Sequence, residues 1–183
     1  MAIPLPVIGA PASGEKMWQA FGEMREALVA RMEMDVCDGC DGCGLRCMDG
    51  FRVTRAEFEE VRVYLATQPL DEVARVRDQP KTFPWPGAEE TGATVTCCRF
   101  RDREKNNCSI YPVRPTVCRL FGHTHWLPCP IGAVGHYPED APGVWERYET
   151  FERRTWAEWD LFTTEFTENA EFGSESFEKG SSL

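Results

Sequence analysis

The chain has 183 residues, 42% hydrophobic and 27% charged, the balance of a folded globular protein with enough chain for one domain and a modest core. A net charge of −10 disfavours a broad electrostatic face for nucleic acid, and no apolar run approaches the roughly 18 to 20 residues that span a bilayer. The opening "MAIPLPVIGAPASGEK" lacks a basic stretch and is broken by three prolines, which makes it a poor signal peptide; a cytoplasmic location is expected, where disulfides rarely persist.

In chain order, the spacing of Trp18, Phe21, Leu28 and Met32 predicts a helix over 14–33. Gly39, Gly42, Gly44 and Gly50 then argue against helix or strand between Cys37 and Gly50. Thr54 and Glu57 form a capping-box pair ahead of an apolar stripe of Phe58, Val61 and Leu65, which predicts a second helix ending before Pro69. A short helix over Asp71–Arg77 follows, and "QPKTFPWPGAEETG" (79–92) reads as a long surface loop. "ATVTCCRF" and "CSIY" read as two strands joined across "RDREKNN". Pro115 fits the first turn of a short helix carrying Val117, Cys118, Leu120 and Phe121, stopped by Gly122. Residues 144–166 read as a last amphipathic helix whose aromatic stripe (Trp145, Tyr148, Phe151, Trp159, Phe162, Phe166) is expected in the core. The polar end, 171–183, reads as a flexible tail. The expected architecture is α+β, one small domain over 1–170 with several helices and a short β-hairpin organised around cysteine-bound metal.

The nine cysteines carry the chemistry: Cys37, Cys40, Cys43, Cys47, Cys97, Cys98, Cys108, Cys118 and Cys129. An odd number, in a cytoplasmic chain, argues against a disulfide framework. Two residues between thiols let two thiolates meet one metal around a tight turn, and the intervening glycines let backbone N–H groups face the sulfurs. C-x2-C-x2-C-x3-C is the ligand run of bacterial-type iron–sulfur ferredoxins, although Met48 stands where a proline usually follows and there is no second copy. Two C-x2-C pairs also suit zinc. Cys98, Cys108 and Cys118 stand at intervals of nine intervening residues, and Cys129 follows after ten. On a strand, Cys97 and Cys98 point to opposite faces, so only one looks towards a metal.

"CDGCDGC", "FRVTRAEFEEV" and "CRFRDREKNNCSIYPVRPTVCRLFG" together resemble the bacterial YkgJ-type cysteine-cluster proteins, a zinc- or iron-chelating family named for a CxxCxxCC signature. The resemblance covers about residues 37–122. It implies that Cys37, Cys40, Cys43, Cys98, Cys108 and Cys118 are metal ligands or their near neighbours, with Cys98 rather than Cys97 facing the metal, and supporting roles for Tyr111, Arg114, Pro115 and Arg119. Where the signature has a second adjacent cysteine this chain has Gly44, and Cys47 is the next thiol. Relatives include flagellin lysine methylases that carry an iron–sulfur cluster; no glycine-rich S-adenosylmethionine loop follows a strand here, so methylation is not carried over.

Arg114 and Arg119, flanking Cys118, are placed to offset thiolate charge around a cofactor. His123 and His125 in "GHTHW" are weaker ligand candidates, and His136 weaker still. The expected ligand set is Cys37, Cys40, Cys43, Cys47, Cys98, Cys108, Cys118 and Cys129. The expected function is cysteine-ligated metal binding, with an iron–sulfur cluster in a redox or accessory role; the alternative is zinc in a structural, interaction or metal-handling role. The expected partner is the metal ion or cluster, with no nucleic acid and no membrane, and no particular protein partner is implied.

Overall fold

The computed structural model describes residues 13–160, apart from 38, 39, 41 and 86. The fold is a small α+β arrangement of short helices and two-stranded antiparallel pairs. The chain forms two compact units, each assembled from separated stretches: the first from residues up to Leu45 with Pro115–Phe151, the second from Arg46–Arg114 with the chain from Glu152 on. No helix among the described residues is long and apolar enough to cross a membrane.

In the first unit, helix α1 (Ser13–Val29) is followed by 3-10 turns at Met34–Cys37 and Gly42–Arg46. Helix α4 (Thr116–Leu120), a strand pair at His123–Thr124 and Leu127–Pro128, and helix α5 (Ala141–Glu149) complete it. Phe21, Leu28, Met32, Leu120, Val144 and Tyr148 are buried together, with Trp18 and Phe151 packed against them. Burial of each such side chain contributes roughly 1.5–3 kcal/mol. Phe21 lies 5.7 Å from the Tyr148 ring, and Trp18 meets Phe151 edge-on at 5.3 Å. The spacing that predicts the first helix therefore reports its buried face.

In the second unit, helix α2 (Arg55–Ala66) starts as the capping box requires. Glu57 N–H donates to Thr54 Oγ1 at 3.3 Å, while Thr54 N–H donates to Glu57 Oε2 at 3.0 Å. Helix α3 (Leu70–Asp78) follows. Phe58, Val61, Ile110, Trp156 and Trp159 form the core, and the Trp159 indole N–H donates to Val53 O at 2.9 Å.

Several expectations change. The first helix ends at Val29 rather than at 33, and the glycine-rich stretch contains a 3-10 turn, Gly42–Arg46. The loop over 79–92 contains a strand, Thr82–Pro84, that pairs with Thr94–Thr96. The predicted hairpin is consequently shorter: Arg101–Asp102 pairs with Asn107–Cys108, and Asn106 takes a left-handed φ of 54° in the turn. The last helix is not continuous. It stops at Glu149, residues Arg153–Arg154 pair with Val53–Thr54, and a new helical turn begins at 156 under a second capping pair, in which Thr155 N–H donates to Glu158 Oε2 at 2.7 Å and Glu158 N–H to Thr155 Oγ1 at 3.3 Å. The aromatic stripe is thereby divided, with Tyr148 and Phe151 in the first core and Trp159 in the second. Phe162, Phe166 and the expected tail over 171–183 lie outside the described residues.

Candidate metal centre

No disulfide joins any of the nine cysteines, all of which are described. They divide between the units: Cys37, Cys40, Cys43, Cys118 and Cys129 belong to the first, and Cys47, Cys97, Cys98 and Cys108 to the second. In sequence, the boundary between the units falls after Leu45, between Cys43 and Cys47.

In the first unit the short turns carry the thiols. Cys37 ends one 3-10 turn, and Cys40 N–H donates back to Cys37 O at 3.1 Å. Gly42 N–H donates to Cys40 Sγ at 3.4 Å, the amide-to-sulfur contact expected of glycines between cysteines. The Cys43 turn packs on the Cys129 turn: a Cβ on Gly42 would stand 3.0 Å from the Ile131 side chain. Gly122 serves the same close packing. Its φ of +89° suits glycine, and a Cβ there would meet Cys43 Sγ at 3.6 Å and the Cys129 backbone at 3.9 Å.

The Cys129 turn is shaped around its sulfur. Ala133 N–H donates to Cys129 Sγ at 3.3 Å, and Gly132 N–H donates to Cys129 O at 3.1 Å. Desolvation pushes this thiol up, but the backbone N–H groups of Ile131, Ala133, Val134 and Gly132 outweigh it and hold the group below the ordinary thiol range. Such a concavity of amides stabilises a thiolate. Cys118 lies half-buried on α4 beside Arg119.

His123, one of the weaker ligand candidates in the sequence, lies beside a cysteine of the run. It is buried, and its Nε2 lies 3.3 Å from Cys37 Sγ. The strand pair explains why it differs from His125. His123 and Thr124 are in the ladder, whereas His125 falls in the turn, exposed, its ring edge-on to Tyr137 at 4.7 Å. His136 is also exposed.

In the second unit, Cys97 and Cys98 lie beyond the end of their strand, so alternation along a strand does not separate them; both are buried. Cys97 N–H donates to Lys81 O at 2.9 Å, and Cys98 N–H to Cys47 O at 2.9 Å. Cys98 thus accompanies Cys47, while Cys108 pairs with Arg101 across the hairpin. The Cys47 thiol is pulled down to about 7, first by a hydrogen bond with the Cys98 side chain and, against its burial, by the charges of Arg101 and Arg114. Cys108 is pushed up by burial. Arg114 lies over the Tyr111 ring at 3.7 Å, and its charge acts on Cys47 and Cys108.

Among the described residues no group of three or more His, Cys, Asp or Glu side chains stands ready to hold a metal ion. The donors occur instead as a Cys37–His123 pair and as thiols on turns whose amides already face sulfur. Thiolates with imidazole are the donor set preferred by zinc and iron over hard cations, so the residues present fit either metal.

A family model, CxxCxxCC, described as "Putative zinc- or iron-chelating domain", matches residues 37–152. No curated protein and no solved structure matches the chain.

Proposed function

The chain belongs to the CxxCxxCC family, and from that premise we propose that it is a cysteine-ligated metal-binding protein whose first unit holds a single zinc or iron ion. Cysteine-ligated metal binding is the function that family membership supports; the single-ion reading rests on this chain's own thiols. The observation that carries it is the Cys129 turn, whose amides face its sulfur and whose backbone packs, as Cys43 Sγ does, close against Gly122. The proposed donors there are drawn from Cys37, Cys40, Cys43, Cys118 and Cys129. Cys47, Cys98 and Cys108 form a second thiol set in the other unit, with Arg101 and Arg114 offsetting its charge. A bound ion would supply a cross-link between segments distant in sequence, which couples metal binding to folding.

The second reading is an iron–sulfur cluster, favoured by the C-x2-C-x2-C-x3-C spacing. Against it, Met48 stands where a proline usually follows that run, and the sequence holds no second copy of it. Elemental analysis and a visible spectrum of the chain purified without oxygen decide between the two. Near-stoichiometric zinc, or iron without acid-labile sulfide, supports the single-ion reading. A brown protein with matching iron and labile sulfide replaces it with a cluster, and a chain with no bound metal removes both.

A further inference from the structure

We propose that His123 is a nitrogen ligand of the metal in the first unit and shares an edge of its coordination sphere with Cys37; this rests on the metal-binding reading above. The spacing is the first argument. Metal bonds of about 2.3 Å to sulfur and about 2.05 Å to nitrogen, opened at the tetrahedral angle, set the two ligand atoms about 3.6 Å apart. The observed separation of Cys37 Sγ and His123 Nε2 is 3.3 Å, so one ion reaches both with little adjustment.

Placement is the second argument. The His123 backbone is fixed in a strand pair with Pro128, and the ring is buried at 2% exposure, unlike His125 and His136. It follows directly on Gly122, the residue at which Cys43 Sγ and the Cys129 backbone meet. Cys43 and Cys129, whose segments approach each other at Gly122, are the thiols proposed for the remaining positions, giving a Cys3His donor set of the kind used by structural zinc. The ion this set selects is a borderline divalent cation that accepts sulfur and nitrogen together, not calcium or magnesium.

X-ray absorption of the full chain, with the metal it is purified with and again after reloading with zinc(II), tests this directly. The expected spectrum carries one imidazole per metal, seen by its outer-shell scattering. That signature is lost in His123→Ala and kept in His125→Ala. If the His123 variant does not fold, a signature kept in both His125→Ala and His136→Ala assigns the imidazole to His123, since the chain has three histidines, and its loss in either of those variants overturns the assignment. An all-sulfur sphere in the wild type, or an imidazole signature that persists in His123→Ala, overturns the assignment and leaves metal binding by cysteine intact. A wild-type chain that binds neither its own metal nor zinc overturns both.

Discussion

Asp102 is a buried carboxylate at the centre of a charged network, and its replacement by Asn gives a measurable prediction. The carboxylate is buried at 2% exposure and accepts from Arg75 Nη2 at 2.6 Å, Arg75 Nη1 at 3.2 Å, Gln79 Nε2 at 2.9 Å, and the N–H groups of Glu104 at 3.0 Å and Lys105 at 3.1 Å. These bonds tie the hairpin that carries Arg101 and Cys108 to helix α3. Breaking a buried pair by removing one partner costs about 3–5 kcal/mol. Arg75 keeps Glu72 at 2.8 Å and Glu104 at 2.7 Å, so the guanidinium is not stranded and the lower end, about 3 kcal/mol, applies. At roughly 2–4 °C per kcal/mol for a chain of this size, Asp102→Asn should lower the thermal midpoint by roughly 6–12 °C at pH 7. The sign with pH follows from the direction of the shift. Arg75, against the opposing effect of burial, holds the Asp102 carboxyl well below the ordinary carboxylate range. Its stabilisation is therefore complete above the unfolded value near about 3.9 and declines as pH falls through the folded one. Thermal and urea unfolding of both proteins, followed by circular dichroism from pH 7 downwards, should show the gap closing only in acid. A midpoint change under about 2 °C at pH 7, or a gap that widens on acidification, would refute the reasoning.

Removing the metal with acid and chelator should lower the thermal midpoint markedly, because the Cys37–Cys47 stretch holds few apolar residues; an unchanged melting curve after verified metal loss contradicts this. Single Ser substitutions at Cys37, Cys43 and Cys129 should each reduce bound metal in elemental analysis, whereas Cys97→Ser should not; full metal loss in the Cys97 variant reverses that assignment. Thr54→Ala removes the side-chain half of the α2 capping box and should cost about 1 kcal/mol in urea unfolding, with no change in bound metal.

The sequence by itself determined the local structure. The Thr54–Glu57 pair sets the start of α2 because both partners lie three residues apart and need nothing from elsewhere in the chain. The apolar spacing from Trp18 to Leu28 marks one face of α1, and the cysteine spacings together with their glycines point to thiolates facing amides. Only the tertiary structure decided what depends on distant strands and on where a helix stops. The stripe from Trp145 to Trp159 reads as one helix until Arg153–Arg154 pairs with Val53–Thr54, about a hundred residues away, and Thr155 caps a new turn. Periodicity reports which residues share a face but not where the chain leaves the helix, so one stripe came to serve two cores. The same reason separates His123 from His125. They are identical in type and two residues apart, but the ladder with Leu127–Pro128 ends at Thr124, leaving one ring buried beside Cys37 and the other exposed in a turn.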